Sequence, residues 1–319
     1  MGVGLTLGTG RVLGQEPTEH VARQAVAPES QHEANQNQID IAYHIGDAHE
    51  LETPFGVIHL PDNWKIRLGS DAHGQPRYLD LSPTRHLVYM LLAAAIVTLV
   101  FTLSARAVAR AQAGGRPAKG FAGAMEAMVL WVRQEVILPN VGHHGEGYVP
   151  YLLTIFFFIL AMNLLGLLPW GATATSNISV TAALAIMAFI VIEITGMRSL
   201  GFKGYLKTIF YLPPGLPGGI GGTLLKVLLL VVMTPIELIG KLAKPFALAV
   251  RLFANMTSGH VLVLALLGLI FLFQSYFVGV LSSALATAVM LLEIFVAFLQ
   301  AFVFTLLTAV FIGMMREAH

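Results

Sequence analysis

The chain has 319 residues, 56% of them hydrophobic and 12% charged, against about 25% charged for an ordinary soluble domain. That composition weighs against a soluble enzyme, a disordered regulator and a nucleic-acid binder, and a formal net charge of +1 leaves no basic field for a polyanion to follow. Cysteine is absent, which excludes disulfides and cysteine-based zinc or iron–sulfur sites.

Charge is unevenly placed. Residues 1–85 carry 17 charges with a net of −5, and all the rest carry 20 with a net of +6. Met1 to Gly14 lacks the compact apolar run and small-residue cleavage site of a secretory leader. Residues 1–38, rich in Gln, Glu, Ala, Asn and His, show no period and read as a polar tail. Residues 39–80 mix short apolar clusters with Pro54, Gly56, Pro61 and Asn63, which predicts a small extramembrane segment with a hairpin.

Leu87 to Ala105 is free of charge and long enough for a first membrane helix. Arg106, Arg110, Arg116 and Lys119 follow with no acid among them, so this loop is expected in the cytoplasm and the N-terminal segment outside. Residues 120–141, with Trp131 among Glu126, Arg133 and Glu135, read as an amphipathic helix on the membrane surface. Gly147 to Ile192 is charge-free and twice the length of one span. It predicts two helices with a turn near Pro169 to Ser176. Arg198, Lys203 and Lys207 then mark a return to the cytoplasm.

The segment LPPGLPGGIGG at 212–222 is a Pro/Gly loop without the Gly-Lys-Ser/Thr ending of a phosphate cradle. Leu224 to Phe273 and residues 280–315 are two long apolar stretches joined around Gln274 to Gly279. Fifty helical residues reach about 75 Å against about 30 Å of hydrocarbon, so these helices must tilt strongly, break or run partly along the membrane. Pro235 and Pro245 permit bends. The predicted architecture is an all-α polytopic membrane protein. It has five membrane-embedded helices and one amphipathic surface helix, with residues 1–80 outside and 81–319 as the membrane domain. The C-terminus is expected in the cytoplasm.

A charge at mid-bilayer costs about 2.5–3.5 kcal/mol on lenient scales. Arg251, His260 and Glu293 nevertheless interrupt apolar stretches. One reading is that each snorkels to an interface or pairs inside a bundle. Arg251 resists it, because it stands far from other charges and cannot lose its proton, so it needs an anion or water beside it. Glu237, Lys244 and Arg251 repeat every seven residues on one helical stripe, which Asn255 and Ser258 continue. His260 falls on the opposite face, about 13 Å further along. Glu293 and Gln300 share a face of the last helix. This packing is expected to set Glu293 against His260 and Gln300 near Arg251, a titrating pair beside a fixed cation. It suits ion movement better than bond chemistry. Asn163, Ser176 and Asn177 are further polar candidates, for which helix packing or an N-cap is an equal reading. Glu193, five residues before Arg198, reads equally as interfacial. His143 and His144 read as a solvated loop rather than a metal site.

Glu237 to Leu269, ELIGKLAKPFALAVRLFANMTSGHVLVLALLGL, resembles the signature helix of subunit a of the F-type ATP synthase membrane sector. NLLGLLP at 163–169, SNISVTAAL at 176–184 and LQAFVFTLLT at 299–308 support the resemblance, and the order of segments fits from about Asp80 to His319. The family implies a stator beside a rotating ring of c subunits, each with one mid-membrane carboxyl. Two offset half-channels would reach that carboxyl from opposite sides. Arg251 would pair with the passing carboxylate and stop protons leaking between half-channels. Asn255 and Gln300 match polar residues beside that arginine. His260 and Glu293 match the outer half-channel relay, with Asn163, Ser176 and Asn177 along the same path. Glu237 matches an acid of the cytoplasmic half-channel.

The resemblance further implies the c-ring, the subunit b peripheral stalk and the remaining synthase subunits as partners within a bacterial inner membrane, with no nucleic acid. It implies a proton-translocating subunit that binds no nucleotide, needs no cofactor and is not by itself an enzyme. H⁺ or Na⁺ stays open as the carried ion, because the selective carboxyl lies on the ring. Some residues depart from the pattern. Many relatives carry an acid at the His260 position and His at the Glu293 position, so this chain has the two exchanged. Gly166 stands where some relatives have an acid, and Glu193 is not part of the pattern. An intramembrane enzyme would need clustered acids, metal ligands or a nucleophile–base pair. A self-contained carrier would be expected to show repeated halves with broken helices.

Overall fold

In the computed structural model the described residues are 50–53, 56–61, 65–70, 76–80, 82–142, 145–168, 173–210 and 220–317, all within one unit, Ile45–His319. The tail expected over 1–38, the histidine pair 143–144 and most of the 212–222 loop lie outside them.

Two antiparallel hairpins occupy the segment where one was expected. β1 (Glu50–Thr53) pairs with β2 (Gly56–His59), Thr53 opposite Gly56. β3 (Lys65–Ser70) pairs with β4 (Pro76–Asp80), with a register shift between Arg67 and Gly69. Gly56 has φ +140°, in a region that favours glycine.

The remaining regular elements among the described residues are helices, as lipid demands, because a backbone N–H or C=O that meets hydrocarbon must be paired within its own segment. α1 spans Arg85–Ala113. α2 (Gly120–Trp131) runs through a π-turn, Val132–Ile137, into α3 (Leu138–Val141). α4 covers Val149–Gly166 after a 3₁₀ turn, and α5 covers Ile178–Ile209 with a sharp bend at Gly201. α6 is Ile220–Phe273 and α7 is Tyr276–Glu317. Five of these are long and apolar enough to cross a membrane, at Arg85–Ala113, Gly145–Gly166, Ile178–Ile209, Thr223–Phe273 and Tyr276–Arg316. The chain is an all-α polytopic membrane protein with two short hairpins ahead of the helices.

The structure refines three expectations. α6 passes unbroken through Pro235 and Pro245. Its 54 residues extend about 81 Å at 1.5 Å each, so it cannot stand upright in about 30 Å of hydrocarbon. The link to α7 is shorter than expected, only Gln274 and Ser275, with Gln274 at φ +45°. The expected surface helix is divided. None of the α2 residues is buried, but Val132, Val136 and Ile137 of the π-turn and Val141 beyond it enter the core. The wider turn rotates the apolar face inward, and Trp131 at the join stacks on Phe302 of α7 at 6.1 Å.

α7 is the centre of the bundle, packed by α3, α4, α5 and α6. Phe156, Leu152, Ile159, Phe304 and Ile312 fill the core. Lipid is as apolar as this core, so burial alone adds little; close packing and buried hydrogen bonds choose the arrangement. Asn163 of α4 is such a bond: fully buried, it donates to the Ala297 carbonyl of α7 and accepts from the Thr175 hydroxyl.

Candidate functional site

The antiparallel pairing of α6 and α7 positions the ionisable residues. Asn255 donates its amide to Gln300 Oε1 at 3.0 Å, and Gln300 is buried. One turn further along α6, Gly259 lies against the Glu293 carboxyl. These two contacts set the register and put Gln300 one helical turn from the level of Arg251. Arg251 itself is exposed, and it makes no hydrogen bond or ion pair to any of the described residues.

A cavity of about 330 Å³ opens beyond Asn255, lined by Ser258, His260 and Glu293 together with Gly166 and Thr173 from the α4 end. Oε1 of Glu293 is buried and meets no hydrogen-bond partner among the described residues. His260 and Glu293 thus share one chamber, the packing expected from the sequence, although Ser258, expected on the opposite face of the helix, lines it as well. Gly166 packs directly on Thr173, leaving no room for a larger side chain without movement of that threonine.

Asn163, Ser176 and Asn177 do not line this chamber. Asn163 ties α4 to α7. The Ser176 hydroxyl donates to the Thr173 carbonyl at 2.7 Å. Asn177 caps α5 by accepting from the Ser179 N–H at 2.8 Å, the usual use of Asn at a helix start.

A second cavity, of about 190 Å³, lies on the other side of Arg251 along α6. Glu237, Lys241, Lys244 and Leu248 of α6 line it, with Glu193 and Thr208 of α5 opposite. Glu193 accepts a hydrogen bond from the Tyr205 hydroxyl. Lys241, almost fully buried, has its ammonium 4.0 Å from Glu193 Oε2, 3.2 Å from the Thr208 hydroxyl and 4.5 Å above the Tyr205 ring. Sequence reasoning left Glu193 unassigned and passed over Lys241, Tyr205 and Thr208. A signal was available in Lys241, which is four residues after Glu237 and so close to the same helical face.

The two cavities meet α6 at different heights. The second ends at Leu248, three residues before Arg251, and the first begins at Asn255, four residues after it. Arg251 lines neither. Such a layout can lead water and protons toward one point from two directions while a fixed positive charge separates them. Among the described residues no group of three or more His, Asp or Glu could hold a metal ion.

A family profile described as the ATP synthase A chain matches residues 87–313. ATP synthase subunit a of Chloroherpeton thalassium is 45% identical over 87% of this chain and 76% of its own length. ATP synthase subunit a 2 of Prosthecochloris aestuarii is 42% identical over 96% of this chain and 87% of its own. ATP synthase subunit a of Myxococcus xanthus is 45% identical over 83% and 88%. With the profile covering most of the membrane body, this chain belongs to the ATP synthase A chain family.

Proposed function

We propose that this chain is the stator of a rotary ATP synthase membrane sector, forming two proton half-channels against a ring of c subunits and coupling proton flow to ring rotation. Its family places it in the membrane part of an ATP synthase. The observation that carries the finer reading is the position of Arg251, exposed, without an internal anion, and set between two cavities that stop one turn short of it on either side. A permanent cation on an apolar helix must be met by an anion from elsewhere. A carboxylate on a passing ring subunit supplies one, and the pairing is strong in a low dielectric yet renewed at each step. The apolar length of α6 is the face that meets this partner: only 6% of its most apolar window is buried within the chain, more unpaired apolar surface than a free-standing bundle needs.

His260 and Glu293 pass protons in the first cavity, which opens to the outer side. Glu237 serves the second cavity, which opens to the cytoplasm, in keeping with the acid-free basic loops at Arg106–Lys119 and Arg198–Lys207. The N-terminal segment is then outside and the C-terminus inside a bacterial inner membrane. Subunit b of the peripheral stalk holds the chain against rotation. The chain itself binds no nucleotide or cofactor, and the choice between H⁺ and Na⁺ as the carried ion is made by the carboxyl on the ring.

Replacing Arg251 with Ala in native membrane vesicles tests the reading. Proton-driven ATP synthesis is expected to disappear while the complex remains assembled. Coupled synthesis near the parent level would overturn the assignment.

A further inference from the structure

The cluster around Glu193 is not required by the Arg251 mechanism, yet it is built with care. Glu193 and Lys241 are both largely hidden, their side chains 12% and 6% exposed. Ionised groups at membrane depth are costly, and an apolar pair of similar size would hold α5 to α6 at least as well. Retaining the pair only as glue would therefore be a poor solution. Glu193 lines the same cavity as Glu237, with Lys241 and Lys244 beside them. The four formal charges cancel, and about 190 Å³ holds several waters. α7 closes the chamber with Phe311, Met314 and Met315, none of which titrates.

We propose that Glu193 is a second proton-exchanging carboxylate on the cytoplasm-facing path, working in series with Glu237. This rests on the half-channel reading above. Lys241 and Tyr205 are positioning residues: one brings a compensating charge and the other a hydroxyl, and together they hold the carboxylate at the chamber wall. A proton leaving the carboxyl of Glu237 joins a cavity water, whose proton in turn bonds to an oxygen of Glu193. The reverse sequence runs during ATP-driven pumping. Each step breaks one O–H bond and forms another, with no other reactant.

The test uses the whole complex in native membranes and reads passive proton flux after the catalytic head is stripped away. Glu193→Gln keeps the size and the acceptor for Tyr205 but cannot carry a proton. Flux is expected to fall by about 10²-fold or more, the order of effect of one proton-transfer group, with the amount of assembled complex unchanged. Glu193→Asp is expected to keep most of the flux. A simple anchoring role predicts the opposite order, because Asp loses the reach that Gln preserves. A Gln variant that conducts like the parent, or that no longer assembles, overturns the proposal.

The lack of native cysteine allows a second measurement. Met315 is half-buried on the chamber wall. In Met315→Cys the thiol is expected to react with a small water-soluble methanethiosulfonate added from the cytoplasmic side, giving a mass shift of this chain; an unreactive thiol means a dry chamber and also overturns the proposal. Arg251→Ala run in parallel separates the two readings. If it abolishes synthesis while Glu193→Gln conducts normally, only the Glu193 inference fails. If it retains synthesis, the half-channel reading itself fails.

Discussion

The Glu293 carboxyl rests on Gly259, the residue just before His260. A Cβ added at 259 would lie 2.9 Å from the Glu293 Cδ, closer than real side chains approach, and 3.1 Å from its Cγ. Glycine there is what lets a carboxylate on α7 lie level with an imidazole on α6. Gly259→Ala must push the Glu293 carboxyl aside, a movement that a flexible side chain makes at little cost in stability but that takes the carboxyl from its place. Proton-driven synthesis is expected to fall by about 10²-fold or more, as for a displaced proton-transfer group. Gly268→Ala in the same helix, where a Cβ meets nothing within 4 Å, is the control. It should leave synthesis intact and slightly stabilise the complex, since Ala is the better helix former by about 1 kcal/mol. Equal activity in the two variants would show that the Glu293 position is not critical.

Two proton groups in one chamber should be exchangeable as a pair. His260→Glu alone leaves two acids, and Glu293→His alone leaves two imidazoles. Together they restore one of each. The double variant is expected to transport more than either single one, a coupling that double-mutant analysis measures directly. Equal loss in all three would argue that the two residues act separately.

Asn255 and Gln300 offer a test of packing independent of proton transfer. Asn255→Leu leaves the buried Gln300 carbonyl oxygen without its donor, a cost of about 1–3 kcal/mol. Changing both residues to Leu removes the unmet need, so the double variant should lose less thermal stability than the two single variants added together. Strict additivity in the melting of the purified complex would mean that the bond contributes nothing to the α6–α7 register.

Gly166 can be tested by rescue. Any side chain there runs into Thr173, which itself donates to the Gly166 carbonyl at 3.3 Å. Gly166→Ala is expected to lower assembly of the complex, and Thr173→Ala in the same chain to restore part of it. Failure of the second change to help would place the strain elsewhere. An acid at this position would need the same space, which ties the glycine here to the bulk of its neighbour.

Most of the architecture was legible because charge is scarce. Charge-free runs marked the spans, and the few charges left inside them marked Arg251, His260 and Glu293. Helical geometry then set Glu293 against His260, and the two line a common chamber. The Glu193 cluster was not legible. Glu193 and Tyr205 are 12 positions apart, about 18 Å along a straight helix, yet they are hydrogen-bonded. Periodicity assumes that a helix continues, and here it does not. The division of the surface helix was hidden for a similar reason, because the π-turn at Val132–Ile137 shifts the phase of the apolar face.

The residue that folds α5 back is Gly201, at φ +69° and ψ 160° within an otherwise helical segment. A Cβ there would meet nothing within 4 Å, so space is not the constraint and backbone conformation is. A non-glycine residue forced into this glycine-only region loses about 1–3 kcal/mol, and a helical φ at 201 would carry Tyr205 away from Glu193. Gly201→Ala is expected to loosen the contact between the end of α5 and α6. Lys241 would then lose its hydroxyl and ring neighbours together. The measurable outcome is increased protease sensitivity of the 198–223 region in membranes, with lower stability of the assembled complex. Gly204→Ala, at a helical position that does not need positive φ, should show neither effect to the same degree. If the two alanine variants behave alike, the bend is held by packing rather than by the conformational freedom of Gly201.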